Sequence, residues 1–139
     1  MIQLIVGERG KGKTKILLDK VNSEINTAHG SIVYLDKSSK HMYELNNKVR
    51  LINVSDYMIA SADEFTGFLS GIISQDHDLQ QMYFDNFLGL ANCTVDTLEK
   101  VVTDLEVISE KFNVDMFLSV STSKGPIPES LKDRVMVEL

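Results

Sequence analysis

Residues 2–14 of this chain read Ile-Gln-Leu-Ile-Val-Gly-Glu-Arg-Gly-Lys-Gly-Lys-Thr, the most informative pattern in the sequence. The short apolar run Ile2–Val6 is typical of a buried β-strand, and Gly7 ends it. After Lys13 the apolar residues recur with helical spacing as far as about Asn26, which predicts a helix. The sequence thus predicts a strand, a glycine-rich turn and a helix in direct succession.

The turn matches the pattern G-x-x-x-x-G-K-[ST] at every position. Its glycines allow positive φ angles and a close approach of backbone N–H groups to an anion, while the start of the helix adds the positive end of its dipole. In such a loop Lys13 is expected to reach the β- and γ-phosphates, and the Thr14 hydroxyl to bind Mg²⁺. The pattern predicts a phosphate-binding loop made of Gly7, Glu8, Arg9, Gly10, Lys11, Gly12, Lys13 and Thr14.

The rest of the chain alternates between strand and helix patterns. Further strands are predicted at 32–35, 49–54, 81–84, 116–120 and 134–139. One helix is predicted to follow a capping box at Ser61 and Glu64, a long one to run from a cap at Thr94 to Phe112, and a short one to lie within 37–47. Alternation of this kind implies right-handed crossovers. We therefore expect one domain, 1–139, folded as a three-layer α/β/α sandwich with a mainly parallel sheet.

Composition narrows the function classes. Of 139 residues, 43% are hydrophobic and 24% charged, as in an ordinary globular domain. The net charge of -6 argues against broad nucleic-acid binding, which depends on phosphate neutralisation. No apolar run is long enough to span a bilayer, the amino terminus lacks a signal-peptide pattern, and Cys93 has no partner for a disulfide, so we expect a cytoplasmic protein. His29, His41 and His77 are not spaced like metal ligands and are expected on the surface or in turns.

With its phosphate loop, the chain resembles the P-loop NTPase superfamily, most closely over residues 1–26 and by layout beyond them. The resemblance implies ATP and Mg²⁺ as cofactors, and an Asp at the end of an apolar strand that holds Mg²⁺ through water; Asp85 fits that place. The two strands predicted between the loop and Asp85 resemble the additional-strand branch, which includes RecA-like proteins. No N-K-x-D guanine signature is present, so ATP is expected rather than GTP. If the family order holds, the phosphate-loop strand lies centrally, between the Asp85 strand and the last strands.

The same resemblance assigns roles to further residues. Asp36, at the end of its strand, takes the place of the carboxylate that activates water, although a simple turn residue fits equally well. Asn86 stands where many members of the branch have a catalytic Glu, which implies slow hydrolysis. Ser121 is a candidate γ-phosphate sensor. Lys124 and Arg134 are either solvated surface cations or act on the nucleotide of a neighbouring copy.

Three functions follow from these patterns. The first is a slow, Mg²⁺-dependent ATPase of RecA-like type that acts as a homo-oligomer or with a protein partner. The second is a small-molecule or nucleoside kinase, which the shortage of arginines (Arg9, Arg50 and Arg134) and the lack of a lid-sized insertion disfavour. The third is a nucleotide sensor that does not hydrolyse, an option that Asn86 keeps open.

Overall fold

A computed structural model describes residues 1–139 and contains six strands and four α-helices. In chain order these are β1 Ile2–Gly7, α1 Lys13–Glu24, β2 Ser31–Asp36, β3 Arg50–Asn53, α2 Ala62–Ser74, β4 Leu79–Phe84, α3 Phe87–Ala91, α4 Leu98–Phe112, β5 Asp115–Ser121 and β6 Val135–Glu138. Short 3-10 segments lie at Met42–Glu44, Val54–Asp56 and Glu129–Arg134. All six predicted strands are confirmed, with small shifts at their ends.

The six strands form one sheet in the order β3-β2-β4-β5-β1-β6, and every neighbouring pair is parallel. The expectation that β1 lies beside the strand preceding Asp85 is wrong, because β5 separates β1 from β4. Burial separates the interior strands from the edge strands. The side chains of 116–120 are buried throughout, whereas β3 and β6 are partly exposed and form the edges.

Helices cover both faces of the sheet. Along β1, Leu4 and Val6 pack into the larger core with the apolar sides of α2, α3 and α4. Ile5 points to the opposite face and packs in a second core with Leu17 and Val21 of α1. This arrangement confirms an α/β fold with a parallel sheet and is consistent with three layers.

The helix beginnings follow the local sequence in part. At α2, the Ser61 hydroxyl accepts a hydrogen bond from Glu64 N–H, and the Glu64 carboxylate accepts one from Ala60 N–H, so the predicted capping box forms with a return bond one residue early. At α4 the expected cap is wrong. Thr94 N–H instead donates to the Thr97 hydroxyl in a turn, and the helix begins at Leu98.

Two short elements differ from the sequence expectation. The helix α3 was not predicted, because its five residues are too few to show a helical repeat. It lies between Asn86 and Asn92, which both have left-handed backbone angles. The polar segment 37–47 contains only the single 3-10 turn Met42–Glu44. The longest helix, α4, has 15 residues, and no helix is both long and apolar enough to cross a membrane.

Candidate functional site

The predicted phosphate-binding loop, residues 7–14, connects the carboxyl end of β1 to the amino end of α1. Gly10 has φ of 82° and Gly12 φ of 100°, so both lie in the left-handed region that favours glycine. A Cβ built on either residue meets nothing within 4 Å. Backbone conformation, rather than lack of space, therefore explains why these two positions are glycine.

The amino terminus of α1 faces the same loop. The Ile16 N–H donates to the Gly12 carbonyl at 3.3 Å, closing the first turn of the helix. The amides before it belong to the group that a helix leaves unpaired at its amino end. These N–H groups and the helix dipole together favour an anion at this position.

Lys13 folds back over the loop. Its Nζ donates to the carbonyls of Gly7 at 3.1 Å and Glu8 at 2.9 Å. Partial burial lowers the pKa of Lys13, and the nearby charge of Asp85 opposes that shift. The ammonium is thus held next to the loop amides, where an anion's negative charge would lie.

Asp85 meets the loop across the sheet edge. The Thr14 hydroxyl donates to Asp85 Oδ1 at 3.0 Å, although the two residues are 71 positions apart in sequence. The Asp85 N–H donates to the Leu35 carbonyl, which extends the ladder between β2 and β4 past the end of β4. A hydroxyl and a carboxylate in contact are oxygen donors of the kind that Mg²⁺ prefers, so these two residues fit the ion that the family resemblance implies.

Two hydroxyl groups that the sequence patterns do not predict also lie next to Asp85. The buried Tyr34 hydroxyl donates to Asp85 Oδ2 at 2.9 Å; burial first, and then the Asp85 charge, raises its pKa, so it remains a donor. The buried Ser119 hydroxyl accepts from Asn86 N–H at 2.7 Å and lies 3.5 Å from Asp85 Oδ1. One sequence feature could have indicated both residues: each is a hydroxyl side chain in a mostly apolar strand, near the carboxyl end of that strand.

Asp36 ends β2 beside Asp85 and is only 8% exposed. Its Oδ1 accepts from Lys37 N–H at 2.7 Å, whereas its Oδ2 is inaccessible to solvent and has no hydrogen-bond partner. Burial raises the pKa of Asp36, and the Asp85 charge raises it further. One ligand atom each of Asp36, His41 and Asp85 lie within 4.8 Å of one another, so His41 belongs to this cluster although its spacing gave no sign of it.

The remaining predicted residues divide between the two ends of the sheet. The Ser121 hydroxyl lies 3.1 Å from that of Ser123, which accepts from Arg9 N–H at 2.8 Å, so Ser121 is close to the loop. Lys124 is exposed in the turn that follows β5. Arg134 precedes β6 at the opposite, amino end of the sheet, where its Nε is 3.3 Å from Glu106 Oε2.

A polar groove of about 390 Å³ opens beside the site, between α1 and the 3-10 segment Met42–Glu44. Its lining consists of Thr14, Lys15, Leu18, Asp19, Asn22, His41 and Glu44. The groove therefore borders both the predicted phosphate-binding loop, through Thr14, and the carboxylate cluster, through His41.

No protein-family model matches the chain, and no curated protein matches it significantly in sequence. The functional interpretation consequently depends on the geometry of this sheet edge.

Proposed function

We propose that this chain is an Mg²⁺-dependent ATP-binding protein of the P-loop NTPase type that hydrolyses ATP slowly. The observation that carries the proposal is the hydrogen bond between Thr14 and Asp85. The loop motif fixes Thr14 alone. A carboxylate 71 residues away in sequence arrives at the same hydroxyl, which supports a shared task for the pair.

Phosphate binding follows from the loop. The backbone amides before Ile16 and the dipole of α1 would hold phosphate oxygens, and the Lys13 ammonium would exchange its present carbonyl acceptors for them. Thr14 and Asp85 would hold Mg²⁺, which neutralises charge on the β- and γ-phosphates when bound. ATP is proposed over GTP because the chain lacks a guanine signature.

Asp36 is the proposed base. Its raised pKa suits it to accept a proton, and the side chain would have to rotate to bring the buried, unpaired Oδ2 to the attacking water. The Asn86 side chain cannot accept a proton, since an amide has no basic oxygen at neutral pH. The proposed base is Asp36, since residue 86 is Asn, and Arg9 is the one arginine at this edge of the sheet. We therefore expect hydrolysis to be slow.

A kinase is the second candidate, because of the groove beside Thr14. An acceptor molecule with a hydroxyl group would lie there, and Asp36 would accept the hydroxyl proton instead of a proton from water. The polar lining suits such a substrate. The shortage of arginines keeps this candidate second.

A single-turnover assay with excess protein and labelled ATP tests the proposal. We expect slow release of phosphate without any acceptor, and a further decrease of at least tenfold in Asp36→Asn with ATP still bound. Transfer that requires an added hydroxyl compound would establish the kinase instead. Bound ATP that is never cleaved would establish a sensor, and absence of ATP binding would refute all three.

The Mg²⁺ assignment is tested with Asp85→Asn. Removing the carboxylate charge should abolish the Mg²⁺ dependence of ATP binding while the fold persists. Asp104→Asn is the control, because Asp104 lies on the exposed side of α4, paired with Lys100. Equal Mg²⁺ dependence in Asp85→Asn and the wild type would show that another residue holds the ion.

A further inference from the structure

Three side chains, two of them from the segment that begins at the end of β2, converge at the carboxyl edge of the sheet. Asp36 ends β2, Asp85 follows β4, and His41 lies just before the 3-10 segment Met42–Glu44. One ligand atom from each lies within 4.8 Å of the others. The ATPase proposal uses the two carboxylates and leaves the imidazole without a role.

The buried carboxylate of Asp36 is incompletely satisfied. The residue is 8% exposed, and its Oδ2 has no hydrogen-bond partner and no access to solvent. Leaving a buried polar atom unpaired is costly, and far more so if it is charged. A cation beside Oδ2 would remove this cost.

The ring of His41 is oriented by a neighbouring carboxylate. Its Nδ1 lies 2.9 Å from Glu44 Oε1, and the side chain is only 19% exposed. Metal-bound histidines almost always have the other ring nitrogen held in this way, by a carboxylate, carbonyl or water. With Nδ1 engaged, Nε2 is the nitrogen left for an ion.

The donor set indicates the class of ion. Mg²⁺ prefers oxygen ligands alone, whereas one imidazole with two carboxylates suits a first-row transition cation. Tetrahedral ligands at about 2.0–2.2 Å from Zn²⁺ lie about 3.3–3.6 Å apart. The ligand atoms here lie within 4.8 Å of one another, so the cluster would have to close by up to about 1.5 Å to hold the ion. Asp85 retains acceptor capacity at Oδ2, where Tyr34 uses one of two lone pairs, whereas Oδ1 faces the hydroxyls of both Thr14 and Ser119.

We propose that Asp36, His41 and Asp85 bind a divalent transition-metal cation such as Zn²⁺ or Mn²⁺ in the nucleotide-free protein. The site is distinct from the Thr14–Asp85 pair that would hold Mg²⁺ with ATP, although both include Asp85. The inference needs no nucleotide and does not depend on the ATPase proposal.

Calorimetric titration of the full, nucleotide-free chain with Zn²⁺, and separately with Mn²⁺, tests the site. We expect one ion per chain, with Zn²⁺ bound more tightly than Mn²⁺. His41→Ala and Asp36→Asn should each weaken Zn²⁺ binding at least tenfold, and Glu44→Gln by about 10–100-fold. His29→Ala is the matched control, because His29 is exposed and remote from the cluster. This variant should bind Zn²⁺ as tightly as the wild type.

Two results would overturn the inference: no Zn²⁺ binding by the wild type, or equal affinity in His41→Ala and the wild type. Circular dichroism checks that each variant is folded. If His41→Ala does not fold, the Zn²⁺ affinity of Glu44→Gln, which changes an exposed side chain, tests the site instead. Mg²⁺-ATP binding is measured on the same samples. ATP binding without Zn²⁺ binding would reject the metal site alone, and Zn²⁺ binding without ATP binding would reject the ATPase proposal alone.

Discussion

At the scale of single residues, Asp85 is the centre of the site. The hydroxyls of Thr14, Tyr34 and Ser119 all lie within 3.5 Å of its carboxylate oxygens. The sequence predicted Thr14 and Asp85, because one belongs to a dense motif and the other ends an apolar strand. Tyr34 and Ser119 could not be predicted, since their roles depend on which strands become neighbours.

Asp36 should limit the stability of the fold at neutral pH. Its folded pKa is raised above the ordinary value of 3.8, so the folded state binds the proton more tightly than the unfolded chain. The protonated carboxyl therefore stabilises the folded state fully below the pKa that Asp36 has in the unfolded chain. This stabilisation is lost as the pH rises through the pKa of Asp36 in the folded protein. Asn cannot ionise and retains an acceptor for Lys37 N–H.

We therefore expect Asp36→Asn to be more stable than the wild type at pH 7, with a difference that narrows as the pH falls towards 4. Urea unfolding of both proteins with a chelator present, at several pH values, measures this. A variant less stable than the wild type by the same amount at every pH would contradict the argument.

At the scale of elements, agreement between sequence and structure follows the strength of the local pattern. The amino-terminal strand, turn and helix were predictable because apolar periodicity, glycines and motif coincide there. The start of α4 was not predictable in this way. Thr94 is of a residue type that often caps helices, but Thr94 N–H and Thr97 N–H both form hydrogen bonds within a turn that precedes the helix. A five-residue helix such as α3 carries no periodic signal at all.

The connection from β1 to α1 should depend on glycine at residue 12. With φ of 100°, Gly12→Ala forces a side chain into the left-handed region, which costs about 1–2 kcal/mol. Gly67 is the matched control: it lies on the exposed side of α2 with open space around a Cβ, so Gly67→Ala should stabilise the protein by about 0.5–1 kcal/mol.

Thermal or urea unfolding of these two alanine variants separates the effects, and ATP binding should weaken only in Gly12→Ala. Equal and small changes in both would show that the backbone of the loop is not constrained in solution.

At the scale of the whole molecule, the sheet order was beyond the sequence. Local patterns give strands but not their partners, and burial on both faces distinguishes interior from edge strands without setting the order among the interior ones. Because β5 lies between β4 and β1, its Ser119 is next to Asp85, and Thr14 at the start of α1 still contacts the same carboxylate. Thr14 and Asp85 therefore meet although β1 and β4 are not neighbours in the sheet.

Assembly should raise the rate of hydrolysis if a cation comes from a neighbouring copy. Lys124 is exposed at the loop edge, whereas Arg134 is paired with Glu106 at the opposite edge, which makes Lys124 the better donor. We expect specific activity to rise with protein concentration, since a supplied cation is worth ~10³–10⁵ in related reactions.

Mixing supplies the control. Lys13→Ala keeps its own Lys124, so adding it to Lys124→Ala should restore some turnover. Activity per molecule that stays constant over a wide dilution series would instead indicate a monomer that is complete by itself.

Titration calorimetry of Mg²⁺-ATP binding to Lys13→Ala tests whether this loop binds the nucleotide. Lys13 is the cation held against the loop, whereas Lys15 is exposed and paired with Asp19, so Lys15→Ala is the matched control. Charged hydrogen bonds contribute about 1.5–3 kcal/mol, so we expect Lys13→Ala to bind at least tenfold more weakly and Lys15→Ala to match the wild type. Equal affinity in all three proteins would contradict nucleotide binding at this loop.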